Sequence, residues 1–116
     1  MSDENTLRIE GNVTRQPELT QVNANSVVTK VSIASHRHFP LEREGEKITK
    51  WGEKTSFVDV DAWNVVGENI FSDVNVGDKV RFTGRVEQDR WVGEGGNRSR
   101  LKMVATGFEV TRRKGA

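Results

Sequence analysis

The sequence contains no cysteine, which excludes disulfide bonds and thiolate metal sites and suits a reducing compartment. Hydrophobic residues make up only 34% of its 116 positions and mean hydropathy is −0.66, so the chain can fill one compact core and no more. A small closed barrel with long polar loops suits that composition better than a thick two-layer sandwich. No apolar run reaches the length needed to cross a bilayer, and Met1-Ser2-Asp3-Glu4 lacks the basic and apolar regions of a secretory signal. The expectation is a soluble cytoplasmic protein with no membrane partner. Catalytic groupings are absent as well. His36 and His38 start an exposed loop without a convergent carboxylate cluster, and Asp59 and Asp61 lack a third ligand or a positioned base. Gly93-Glu94-Gly95-Gly96 is not followed by the Lys-Ser/Thr of a phosphate loop. No enzyme activity, metal or cofactor is expected.

What is present is a mixture of flat rings and cations. Phe39, Phe57, Trp63 and Trp91 fall on or beside stretches of period-two alternation, and Lys54, Arg81, Arg85, Arg90, Arg98 and Arg100 lie in or next to the same stretches. A ring stacks on any nucleobase and a cation follows any phosphate, which together suit sequence-tolerant capture of an unpaired strand. The net charge of +1 conceals an asymmetry. Residues 1–78 hold 8 Lys/Arg against 13 Asp/Glu, a balance of −5, whereas residues 79–116 hold 10 against 4, a balance of +6. A basic surface facing a polyanion fits this, as would solvated strand faces; the aromatics favour the former.

Along the chain, Leu7, Ile9 and Val13 alternate with Arg8, Glu10 and Asn12 in a half-buried first strand, with Gly11 marking a bend. Gln16-Pro17-Glu18 ends it, and Asn23-Ala24-Asn25-Ser26 reads as a turn before a second strand, Val27–Ser35. From Arg37 to Lys54 the pattern gives way to charge and glycine, the mark of a long, partly mobile hairpin. Ser56–Val66 forms a third strand with Val58, Val60 and Ala62 on one face and Phe57, Asp59, Asp61 and Trp63 on the other. Gly67–Val74 is a short helix carrying Ile70, Phe71 and Val74. Lys79–Trp91 and Arg98–Thr111 are the last strands, joined by a glycine-rich hairpin; Gly84 breaks the first, and in the second Leu101 and Met103 oppose Val104, Phe108 and Val110. The fold class is all-β: a five-stranded OB-fold barrel with one short helix between strands 3 and 4 and long β-hairpin loops. Residues 1–111 form that domain and 112–116 a frayed basic tail.

Four segments in this order resemble the bacterial single-stranded DNA-binding protein family over roughly Asn5 to Thr111. They are Gly11-Asn12-Val13 through Pro17-Glu18-Leu19, then Val31-Ser32-Ile33-Ala34-Ser35 with Phe39, then Phe57 to Trp63, and finally Gly77-Asp78-Lys79 through Arg90-Trp91. The resemblance implies that Phe39, Phe57, Trp63 and Trp91 stack on bases and that Arg90 matches a basic position beside the last of them. It also implies a homotetramer of barrels with strand pairing between subunits, around which DNA wraps in replication, recombination and repair. Family members end in an acidic, hydrophobic tip that recruits other enzymes; the sequence ends instead at Ala116 after a basic run, which speaks against that recruitment. Asp59 and Asp61 stand where a basic residue is expected, so they either pair with neighbouring arginines or weaken binding. Trp51 has no secure counterpart and is either an additional platform or an aromatic that staples its hairpin.

Rival readings follow from the same residues. The rival expectation for Trp63 and Phe57 is packing against the next barrel or the subunit interface, whereas Phe71, Phe82 and Phe108 read as core. An OB dimer resembling the primosomal replication protein would bridge a single strand to a helicase, and a protein–protein adaptor would keep the barrel while Asp59 and Asp61 exclude DNA.

Overall fold

In the computed structural model, which describes residues 1–116, six strands and one helix follow one another: β1 (Leu7–Val13), β2 (Glu18–Asn23), β3 (Ser26–Glu44), β4 (Lys47–Trp63), α1 (Asn64–Asp73), β5 (Lys79–Gly93) and β6 (Gly96–Arg112). Five strands close a ring in the order β1–β5–β6–β4–β3, with β3 returning to β1 through Asn12↔Ala34 and Val13↔Ile33. This is the expected OB barrel. The sixth strand, β2, has no counterpart among the five read from the sequence; it lies outside the ring as an exposed edge paired to β3.

Inward-facing residues of every ring strand meet in one core, where Ile33, Val60, Val80, Phe82 and Met103 are fully buried. The helix adds Ile70, and Val74, the extended residue just past its end, joins the same core. Phe71 was expected to join them but is 47% exposed, because it sits about 100° around the helix from Ile70. The helix also starts earlier than the Gly67 read from the sequence. Asn64 turns the chain with φ of 53°, a left-handed conformation that asparagine tolerates, and its Oδ1 accepts the Val27 N–H at 3.1 Å. Trp63 is thereby held at the strand-to-helix corner.

A second departure concerns β6. Thr83 pairs with Gly107 and Gly84 with Ala105, leaving Thr106 without an opposite residue. This bulge switches the alternation, so Met103 and Ala105 face inward before it and Phe108 and Val110 face inward after it. Met103 from one set and Phe108 and Val110 from the other thus pack on the same core, whereas Leu101 is 68% exposed. Gly84 makes the switch possible, since a Cβ there would lie 1.9 Å from the Val104 carbonyl oxygen.

The basic tail is tied down rather than frayed. Arg113 donates to Asp73 Oδ1 at 2.6 Å and to Asp78 Oδ2 at 3.1 Å, and the Lys114 N–H donates to Asp78 Oδ1 at 3.0 Å. The Lys114 N–H, opposed by burial and joined by the Asn75 N–H and Arg113, holds the Asp78 carboxyl below its ordinary 3.8. A carboxyl lowered in the folded state stabilises above its unfolded pKa and loses that contribution as pH falls through the folded value. Asp78→Asn should therefore lower the urea midpoint at about pH 7, and the gap to the parent should narrow below about pH 4. A gap that stays constant on acidification would show that the charge on Asp78 contributes nothing.

Beyond the barrel, β3 and β4 remain paired out to Glu44↔Lys47, and β5 and β6 out to Gly93↔Gly96. The segments read as loops are ladders almost to their tips. These two arms give a radius of gyration of 17.3 Å, against about 13 Å for a compact domain of this length.

Candidate nucleic-acid interface

Strand alternation sorts the arm residues by face. On β4, Trp51, Glu53, Phe57, Asp59, Asp61 and Trp63 share the outward side, opposite Pro40, His38, Ala34, Ser32, Lys30 and Val28 of β3. On the other arm, Trp91 faces Arg98, Asp89 faces Arg100 and Glu87 faces Lys102. Parallel pairing of β4 with β6 at Val60↔Met103 and Asp61↔Val104 brings the two outward sides together. Side chains join them: Arg100 Nη1 lies 3.6 Å from Asp59 Oδ2, and Lys102 Nζ lies 2.9 Å from both Asp61 Oδ2 and Asp89 Oδ2.

The rings on this surface are bare. Phe57 is 76% exposed, Trp51 56%, Trp91 49% and Trp63 39%. Arg90, Trp91 and Arg98 line one shallow cavity on the second arm, with Arg90 donating to Gln88 Oε1 at 3.2 Å and Arg98 to the Glu94 carbonyl at 2.9 Å. Neither arginine has a carboxylate partner, so both keep their charge for a ligand.

Several expected members are placed differently. Phe39 is in β3, not in a loop, and belongs to the opposite face of its arm together with Arg37 and Lys54. Its ring crosses Gly52, where a Cβ would lie 2.7 Å from ring carbons, and the Arg37 guanidinium stands 5.2 Å from the ring centre. Arg81 sits beside β1 between Glu10 and Glu109, at 3.4 and 3.5 Å, with its charge matched by both. Arg85 is held by Glu87 at 2.6 Å. The structure gathers Trp51, Phe57, Trp63, Trp91, Arg98 and Arg100 on one surface and leaves Arg81 apart from it.

The two carboxylates pair as the sequence suggested, although only Asp59 does so with an arginine. It also accepts from Ser32 Oγ at 3.1 Å. Asp61 is buried at 3% exposure, so the face it shares with Phe57 is not wholly solvated. Its main partner is Lys102, which the sequence reading missed despite its alternation with Arg98 and Arg100. Burial pulls the Lys102 pKa down, but hydrogen bonds to Asp61 and Asp89 outweigh it, and the lysine stays charged with a raised pKa. Asp89 is correspondingly lowered by its bond to Lys102. His36 and His38, read at a loop start, lie on β3; their Nδ1 and Nε2 each stand 3.1 Å from an oxygen of Glu53.

A barrel with exposed rings on two arms and partner-free arginines on one of them invites comparison with known proteins. The model described as the single-strand binding protein family matches residues 4–111. The chain belongs to that family. Among curated members of the single-strand binding family, the single-stranded DNA-binding protein of Treponema pallidum is 30% identical over 110 residues, covering 95% of this chain and 59% of its own length. That of Deinococcus radiodurans is 31% identical over 110 residues, covering 94% of this chain and 35% of its own. The chain thus spans about 59% and 35% of these two relatives. Solved structures share the fold. The small single-stranded DNA-binding protein from Streptomyces coelicolor superposes with a TM-score of 0.73 at 23% identity, covering 94% of this chain and 95% of that one. The Plasmodium falciparum protein in complex with single-stranded DNA gives 0.77 at 12% identity, with 98% of each chain covered. No helix here is long and apolar enough to cross a membrane.

Proposed function

We propose that this chain binds single-stranded DNA without reading its sequence, as a binding protein of replication, recombination and repair rather than an enzyme. The observation that carries the proposal is the joined outward surface on which Trp51, Phe57, Trp63 and Trp91 stand exposed beside Arg98 and Arg100. Bases stack on the rings and phosphates meet the cations. Neither contact depends on base identity, and duplex, whose bases are already stacked, binds poorly. Phe39 with Arg37 and Lys54 offers a further platform on the back of the first arm, so a strand contacting all the rings must pass around it.

The adaptor alternative loses its support here, because Asp59 and Asp61 are matched by Arg100 and Lys102 and present no free acidic patch. Assembly into a homotetramer in the cytoplasm is part of the proposal; a dimer by light scattering would favour the primosomal resemblance instead.

All three tryptophans of the sequence, Trp51, Trp63 and Trp91, lie on the proposed surface, so titration with oligo-dT should quench most of the indole fluorescence. The logarithm of affinity should fall with the logarithm of salt concentration by about 0.7 per phosphate contact. A titration with no quench and no salt dependence would overturn the proposal.

A further inference from the structure

We infer that a polar cavity in the barrel wall between Phe57 and Trp63 is a backbone-phosphate subsite served by Arg15 and Lys30; this rests on the single-strand reading above. Phe57 and Trp63 share a face of β4 six residues apart, about 20 Å of strand, so one base cannot cover both. A strand using both rings must cross the ground between them, which is where Asp59 and Asp61 sit. Two uncompensated carboxylates there would repel every phosphate that passed.

They are compensated, and one cation beside them, Arg15, has no carboxylate of its own. Arg100 pairs with Asp59, and Lys102 lies 2.9 Å from Asp61. Lys102 is shared equally with Asp89, so Lys30, 4.0 Å from Asp61 and with its side chain 53% exposed, adds to the compensation while its ammonium stays open to solvent. Arg15 touches no carboxylate at all. Its guanidinium donates to the Ser32 hydroxyl at 3.0 Å, and Ser32 donates onward to Asp59 at 3.1 Å, so a neutral group aims a full cation over the cavity. Arg15, Lys30, Ser32, Asp59, Asp61 and Arg100 line the same depression. A phosphodiester oxygen fits the chemistry of that opening, which offers the donors of a forked guanidinium and of an ammonium. Glu18, on the edge strand β2, also lines the cavity and has no cationic partner; it opposes the anion and limits the site's strength.

The test is the salt slope of oligo-dT binding for Arg15→Ala, Lys30→Ala and the double variant, repeated with an abasic oligomer of equal length. Each single change should flatten the slope by about 0.7 and the double by about 1.4, on both oligomers, since a phosphate contact persists without bases. The fluorescence quench on oligo-dT should remain. Arg15→Lys should keep the parent slope, and Glu18→Gln should tighten binding several-fold at low salt. Parent-like slopes in the double variant would overturn the subsite. A merely structural role for Arg15 would appear as a lowered melting temperature with the slope unmoved, which also overturns it. Failure of the unmodified chain to bind oligo-dT would remove the single-strand reading itself, and the subsite with it.

Discussion

Trp91→Ala should weaken oligo-dT binding by about 5- to 150-fold, the range that follows from roughly 1–3 kcal/mol per base–aromatic stack. Thermal stability should hardly change. Trp91 lies on the β5–β6 arm beyond the barrel, about half exposed, so truncation removes little packing. Its cross-strand neighbour is Arg98, whose charge remains in the variant. The salt slope should therefore match the parent even as affinity falls, separating stacking from phosphate neutralisation. Trp63→Ala should lose a comparable factor, but with a measurable drop in melting temperature, because Trp63 is the least exposed of the outward rings and occupies the corner into α1. Parent-like affinity in both variants would remove stacking as the source of binding.

Gly84→Ala should destabilise the barrel by about 3 kcal/mol or more, a large share of the margin of a domain this size. The added methyl would meet the Val104 carbonyl oxygen at 1.9 Å and the Ala105 Cα at 2.9 Å. Those are backbone atoms, so they can yield only by opening the β5–β6 ladder at the bulge that turns Met103 and Phe108 to one core. Gly107→Ala is the control, since a methyl there meets nothing within 4 Å. The urea midpoint should drop sharply for the first and stay near the parent for the second. If Gly84→Ala does not accumulate as soluble protein while Gly107→Ala does, the expectation is met in its stronger form. Equal midpoints for the two variants would show that the tight approach at Gly84 carries no weight.

The barrel was legible in the sequence wherever burial of one face imposes alternation. Leu7, Ile9 and Val13, or Val58, Val60 and Ala62, declare their faces because only one side of each strand meets the core. The arms were not legible, for the same reason in reverse. From Arg37 to Lys54 neither face of the β3–β4 ladder is covered, so nothing selects apolar residues at every second position, and a long strand reads as a loop. Phe39 was misplaced on that account. The phase switch at Thr106 was hidden because a bulge is a property of two strands in register, whereas one strand's pattern shows only a lapse at Gly107. Phe71 misled for a local reason: it adjoins Ile70 in sequence, and the angle between neighbouring helical residues was large enough to carry it off the barrel. At the interface the exposed rings were found from residue type alone. Lys102, Lys30 and Arg15 were missed because their value depends on which carboxylates the fold places beside them.

The arms have a consequence for how the molecule breathes. Their amides are bonded across to each other with no apolar layer beneath, so a hairpin can unzip from its tip while the five-membered ring stays intact. Trp51 and Trp91 ride on these least cooperative portions of the chain, whereas Trp63 is anchored at the rim. Ligand capture then includes an ordering step on the arms, and part of the gross contact energy is lost to the entropy of holding them still.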